Sequence, residues 1–342
     1  RMRKIELRIN QRPVQVEDQQ IHELLECLNA AIARHSWYPL AVRVVLLLAL
    51  SAVLAGQPKP IPRLQAVPEP YQQISFQRDG AELARYHYGP SLERPFLYPI
   101  YSPSGRPLTR MGHPRDPQGH SHHNSVWISH KDVNGLSFWE DRNAGRIVHQ
   151  SLDRIEDEDG RAFIVTRNAW VAPGGGRTVM NETRTTSVET LGNGEWMLTL
   201  QLEFTPQGHP VVFGKTPLGP FAVRLAKTLG VNDGGGLVRN SEGGVNESGT
   251  LWKRARWVDY SGPSAPDLIE GVTLFDHPMN PGHPSVFHVR NDGWMGVAIS
   301  AEEPLTLPVD GKLILRYALY VHRGRPAMES IERRWQSYAG LR

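Results

Sequence analysis

The 342-residue chain contains one cysteine, Cys27. A lone thiol excludes an intrachain disulfide and any zinc site built from several cysteines. Long apolar runs are missing too: the best, "VRVVLLLALSAVLA" at 42–55, is too short to span a bilayer comfortably. An integral multi-helix membrane protein is therefore excluded, and no integral membrane partner is expected. The net charge of +3 is not matched by any basic stripe interleaved with aromatics. Residues 1–55 hold seven of the 38 Lys and Arg and five of the 35 Asp and Glu, leaving 31 against 30. That near-neutral remainder predicts no nucleic-acid partner. Phosphate loops and dinucleotide fingerprints are absent, since "PGGGR" (173–177) and "DGGGL" (233–237) lack the strand and helix such motifs need. No repeat of propeller or solenoid period occurs.

What is present begins with that short apolar run. Arg34 and Arg43 precede it and Val53-Leu54-Ala55 closes it before Gly56, which reads as a secretory signal at 40–55. Residues 1–39 are then an upstream or non-native segment. The other reading is an amphipathic helix, with Ile21, Leu24, Leu25, Leu28 and Ile32 on one stripe and the apolar run as a signal anchor. Export would remove Cys27 and deliver a periplasmic or extracellular product. The Pro-rich "GQPKPIPRLQAVPEP" (56–70) reads as a linker, and 71–342 as one folded domain.

In that domain the apolar period is two. "WMLTLQLEF" sets Trp196, Leu198, Leu200, Leu202 and Phe204 against Thr199, Gln201 and Glu203. "KLILRYALYVH" sets Leu313, Leu315, Tyr317, Leu319 and Val321 against Arg316 and His322. Turn signals such as "GNGE" (192–195) and "EDEDG" (156–160) separate these runs. Only the tail looks helical, with Met328, Ile331, Trp335 and Tyr338 on one stripe after Pro326. The expected fold is all-β: a large antiparallel sandwich with a short C-terminal helix.

Chemistry concentrates in two places. "GHSHHNSVWISHKDVNGLSFWED" (119–141) gathers four histidines, two tryptophans and three carboxylates in 23 positions. His120 and His122 share a strand face and His123 takes the other. His130 shares the face of His122 but lies well along it, so a bend near Asn124 would be needed to bring them together. His120, His122 and His123 could ligate a divalent metal, though no HExxH-type spacing is present; a polar-ligand loop is the other reading. The later stretch, "WVDYSGP" (257–263) with "FDHPMNPGHPSVFHVRNDGW" (275–294), supplies Asp259, Tyr260, Asp276, His277, Asn280, His283, His288, Arg290 and Trp294. Its prolines make "HPMNPGHP" a loop, and His288 in "VFHVR" suits a half-buried structural role. Trp127, Trp139, Trp257 and Trp294 beside Asp, Asn, Arg and His suit sugar recognition, because apolar sugar faces stack on indoles while hydroxyls need polar partners. Core packing is the other reading for Trp127 and Trp294.

These segments, with "RPFLYPIYSPSGRPLTR" (94–110), resemble a secreted bacterial family, DUF6807, in order over most of 71–322. Its core motif is close to D-H-P-H-H-x-x-x-W-x-x-H-x-D-V-N-G-x-x-F-W. Gly119 stands here at the leading Asp and Ser121 at the Pro, so any role of that Asp is missing from this chain. The family's automatic label, "methane oxygenase PmoA", implies a multi-helix membrane subunit that the short apolar run does not match. The resemblance implies instead a galactose-mutarotase-like supersandwich acting on a carbohydrate or glycoside as lyase, epimerase or hydrolase. Carried onto this sequence, one groove draws His122, His123, His130 and Asp132 from one wall and Asp259, His277 and Arg290 from the other. Histidine serves as acid and base, Asp132 orients an imidazole, and Arg110, Lys215 and Arg290 hold a carboxylate or oxyanion. His120, Asn134, Trp139 and Asn280 complete substrate binding. No cofactor is assigned, a divalent metal being the open alternative. A non-catalytic sugar-binding protein and a His-ligated metal-dependent oxidase or oxygenase are the rival classes. Oligomeric state is left open.

Overall fold

The computed structural model describes residues 61–112 and 120–340. The expected signal segment and upstream region lie outside the described residues. No helix among the described residues is long and apolar enough to cross a membrane.

The described chain opens with β1 (Leu64–Glu69), β2 (Gln73–Arg78), β3 (Ala81–His87), β4 (Phe96–Ile100) and the three-residue β5 (Val126–Ile128). Four long strands follow as hairpins: β6 (Arg146–Glu158), β7 (Arg161–Val171), β8 (Thr178–Thr190) and β9 (Trp196–Pro206). Next come β10 (Val211–Phe213), β11 (Pro220–Arg224), the short α1 (Val231–Gly234), β12 (Leu237–Asn240) and α2 (Asn246–Thr250). The last part runs β13 (Lys253–Arg254), β14 (Trp257–Ala265), β15 (Leu268–Asp276), β16 (Val286–Arg290), β17 (Trp294–Ala298), β18 (Leu305–Leu307), β19 (Leu313–Arg323) and α3 (Met328–Ala339).

Two large antiparallel sheets result. The first has the order β1-β2-β3-β4-β5-β11-β17-β16-β13, the second β12-β14-β15-β19-β9-β8-β7-β6, and β10 pairs with β18 apart from both. The all-β expectation with a C-terminal helix is met. Period-two patterning explains the core: Trp196, Leu198, Leu200, Leu202 and Phe204 of β9 and Leu313, Leu315, Tyr317, Leu319 and Val321 of β19 join Ile74, Phe76, Val126, Ile128 and Val297 of the first sheet in one buried cluster. The opposite face of the second sheet is covered by α3, whose Ile331 and Tyr338 pack on Met197, Trp257, Phe275 and Tyr320. The Met328, Ile331, Trp335, Tyr338 stripe is that contact. Pro326 stands one residue before the helix N-cap, Ala327, rather than in the first turn. At the β8–β9 turn Asn193 and Gly194 take φ of 59° and 81°, left-handed angles that Asn and Gly adopt at least cost.

The linker expectation needs one correction. Leu64–Glu69 pairs residue by residue with Arg78–Gln73, and Leu64 and Ala66 are buried. It is the edge strand of the first sheet, where Pro68 is tolerated, so the folded body starts before residue 71.

The core also contains charge. Glu182 and Arg184, i and i+2 on β8, are both fully buried and ion-paired, and Trp170 Nε1 (2.8 Å) and Asn168 Nδ2 (3.3 Å) donate to the same carboxylate. Removing Glu182 would strand a buried guanidinium. Glu182→Ala should therefore destabilise the fold by about 3–5 kcal/mol. Glu302→Ala, which breaks an exposed pair with Arg254, should cost under about 1 kcal/mol. Urea unfolding midpoints compare the two.

Candidate functional site

The site lies on the outer face of the first sheet, where strand alternation turns a row of side chains away from the core. Val126 and Ile128 of β5 face inward and Trp127 outward. Register extends the row: Phe96 pairs with Trp127, Trp127 with Ala222, Ala222 with Gly296, and Gly296 with His288. The two central members are small, which leaves room above them. A Cβ on Gly296 would meet Trp294 Cζ2 at 3.1 Å, so the Trp294 indole lies across that position. The rings of Trp127, Trp139 and Trp294 sit 5.5–5.7 Å apart and form a buried aromatic floor. The core-packing alternative for Trp127 and Trp294 is thus half right: they are buried, but beneath a cleft outside the main core. Trp257 is a packing residue, enclosed under α3 with its Nε1 donating to Glu332.

Histidines are laid on this floor. The His123 ring stacks on Trp127 at 5.3 Å and Trp294 at 4.8 Å, and His120 stacks on it at 4.5 Å. His122 stands edge-on to His123 at 4.6 Å. Arg94, 1 % exposed, holds this segment in place. Its guanidinium donates to the His122 carbonyl and Asn124 Oδ1 on one side, and to the Trp139 and Glu140 carbonyls and Asp141 on the other. Ser121 Oγ also donates to Asp141. The resulting cleft of about 580 Å³ is closed by Glu140, Leu218, Arg290 and Asp292, a size ordinary for small-molecule sites.

Its electrostatics separate two kinds of group. Burial lowers the pKa of His122, pushes His123 far below the usual histidine range, and takes His288 to about 4. These imidazoles are neutral at pH 7. The carboxylates are ionised: burial opposes this at both, but Lys131 and Ser137 hold Glu140 below its ordinary value, and the Arg224 guanidinium does so for Asp292. Several buried polar atoms around the cleft have no hydrogen-bond partner among the described residues: Trp127 Nε1, Trp294 Nε1, His123 Nδ1 and both nitrogens of His288. Buried polar groups are normally satisfied. Their clustering beneath the cleft is a local departure from that rule. As for a metal, the near-parallel stack of His120 and His123, 12° between planes, does not converge ring nitrogens on one point, and no metal-holding group of three His, Cys, Asp or Glu occurs among the described residues.

Of the residues the sequence singled out, His120, His122, His123, Trp139 and Arg290 come together in this cleft. Arg110 is outside the cleft lining and adds a like charge that disfavours protonation of His123. The others do not join. His130 is fully buried; its Nδ1 accepts the Asp132 N–H, which puts the proton on Nε2, donated to Ser300 Oγ at 2.9 Å. The Asp132 carboxylate accepts from Gly135 N, and the Asn134 side chain ties the turn to Pro210 and Val212. These are loop-building roles, not proton transfer. Lys215 is exposed outside the cleft lining. Asp259 is buried on the second sheet, bound by Arg239, Ser261, Thr273 and His322. Asn280 braces Asp276 and Arg316. His277 lines a different cavity, beside Arg316 and Tyr338, so it does not share a surface with His122. The cause is topological: the second motif crosses from β15 in one sheet to β16 in the other at the proline loop. Glu140, Leu218, His288 and Asp292 were not assigned to the site. His288 and Asp292 could have been found from parity with Arg290 and Trp294 along one hairpin.

The sequence model of a family described as "Family of unknown function (DUF6807)" matches residues 73–336. No curated protein matches. Among solved structures, a chain described as "Putative kojibiose phosphorylase from human microbiome" is 10 % identical with TM-score 0.35, over 82 % of this chain and 37 % of that one. A 4-alpha-glucanotransferase from Thermococcus litoralis is 9 % identical with TM-score 0.31, over 77 % and 40 %. This chain thus spans about two fifths of the length of each, at a similarity too low to carry an argument.

Two outcomes follow from the geometry. Arg94→Met removes every donor of the guanidinium, and each buried acceptor left unpaired costs about 1–3 kcal/mol. Hydrogen exchange should accelerate at 120–124 and 139–141 while β6–β9 stay protected. His130 has a folded pKa of about 4 against an ordinary 6.5. The unfolded state therefore binds the proton first as pH falls, so stability is lost between pH 6.5 and 4, by about 3 kcal/mol for this ring. Imidazole NMR titration together with melts across that window checks the sign.

Proposed function

Since this chain belongs to DUF6807, a family whose description names no chemistry, we propose from its own cleft that it is an exported carbohydrate-active enzyme that moves a proton on a sugar. The observation that carries this reading is the cleft of about 580 Å³ whose wall combines Trp139 and Trp294 with His122 and Arg290. A sugar offers an apolar ring face to Trp139 and Trp294, and hydroxyl groups whose O–H can donate to neutral imidazoles and whose oxygen can accept from the Arg290 guanidinium. Export rests on the run at 42–55 alone.

The charge states favour one type of step. Glycoside hydrolysis by a carboxylate pair requires one protonated carboxyl, whereas Glu140 and Asp292 are both held ionised by cationic partners. Neutral imidazoles are bases. His122, edge-on to its neighbours and lining the cleft, would take a carbon-bound proton next to a carbonyl or carboxylate. The electron pair would move onto that oxygen, opposite the Arg290 guanidinium. Return of the proton to the other face gives an epimerase, and loss of a neighbouring substituent gives a lyase.

Incubation with mono- and oligosaccharides in D₂O, read by mass, tests the proposal. At least one sugar should take up deuterium or yield product. His122→Ala should slow this by about 100-fold or more with little change in melting temperature, whereas His277→Ala should leave the rate intact. Because His122 must be neutral, kcat/KM should fall as pH drops through its lowered pKa, not at higher pH. Binding without label or product would make the protein a sugar-binding module, and no binding by any sugar would sink the carbohydrate reading.

A further inference from the structure

Among the described residues, six large apolar side chains remain exposed, and Trp252 is the one whose ring stacks on a cleft residue. Its indole is 46 % exposed and lies 4.3 Å from the His288 ring with 28° between planes. We propose that Trp252 is an outer sugar-binding platform, so that the substrate is a glycan of at least two rings: one in the cleft, the next on this indole. The inference rests on the carbohydrate reading and extends it to substrate length.

Three observations support it. Trp252 has φ of 59°, a left-handed backbone angle that a bulky side chain rarely adopts and that persists only where surroundings enforce it. The enforcement is visible: its N–H donates to the Phe287 carbonyl of β16, and α2 just before it is clamped to the β16–β17 hairpin by reciprocal bonds. Glu247 N donates to Asn291 Oδ1, and Asn291 N donates to Glu247 Oε2. Glu247 also pairs with Arg290 in the cleft wall. The segment presenting Trp252 is therefore fixed to the same hairpin that carries His288, Arg290 and Trp294. Finally, a residue serving only to cover His288 could do so from a relaxed backbone with its ring enclosed. Here roughly half of the indole is left open while it stacks on His288, a residue that lines the cleft, and a preorganised aromatic face loses little freedom on binding.

Calorimetric titration of the full chain with mono-, di- and trisaccharides of the glucose, galactose and xylose series tests this. In whichever series binds, the second ring should tighten binding to the unmodified protein about fivefold. Trp252→Ala should remove that gain and leave monosaccharide affinity unchanged, and Trp252→Phe should keep part of it. A gain that survives in Trp252→Ala overturns the platform while leaving the cleft reading intact. Equal weakening of mono- and disaccharide also overturns it, since Trp252 would then act only by supporting His288. If no saccharide of the panel binds the unmodified protein, both readings fall.

Discussion

One buried guanidinium decides whether there is a cleft at all. Arg94 donates to two irregular segments, 122–124, which also bridges to Met111 and Gly112, and 139–141. Neither segment has the regular hydrogen bonding that would set its position by itself. A planar fork of donors fixes their distance and angle together, which a flexible ammonium could not do. The carboxylate of Asp141 offsets the cost of burying that charge. His120, His122 and His123 are placed by the first segment, Trp139 and Glu140 by the second, and the floor beneath them by the register of the sheet.

That floor shows how a sheet can carry two cores. Residues of β5, β11 and β17 alternate strictly between the main core and the outer aromatic cluster. The missing side chain at Gly296 lets the Trp294 indole approach the sheet, since a Cβ there would meet its Cζ2 at 3.1 Å. The same burial that makes this cluster stable lowers the pKa of the imidazoles resting on it. His122, His123 and His288 are consequently neutral hydrogen-bonding groups and bases rather than a cationic patch. Cationic charge comes from arginines, each paired: Arg224 with Asp292 and Arg290 with Glu247.

The site was legible in parts whose chemistry is local. The crowding of His120, His122 and His123 beside Trp139 was visible from composition alone, as was Arg290 next to Trp294. His130 and His277 carried the same chemical signature, yet each is consumed by its own loop: Nδ1 of either ring accepts the backbone N–H two residues on. Such a local bond depends on backbone dihedrals that a residue pattern does not reveal. Asp259 and Asn280 were misplaced for another reason. Their stretch of sequence is continuous with that of Arg290, but the chain changes sheets between them.

Alternation along β9 and β19, the turns at 156–160 and 192–195 and the stripe of α3 were determined by sequence, because each is a periodicity of neighbouring residues acting through short-range geometry. So was the all-β class, since nothing in 71–322 has the period of a helix. Which sheet each strand joined, and which of its two faces met the other sheet, was decided only by tertiary structure. Inward and outward faces of β5 or β17 are both apolar here, so hydrophobicity could not say which one faced the core. Pairing of Trp127 with Ala222, and of Ala222 with Gly296, joins residues far apart in the chain. Long-range register of that kind answers to the packing of the whole sheet, and it alone set His288 and Asp292 beside His122 while leaving His277 behind.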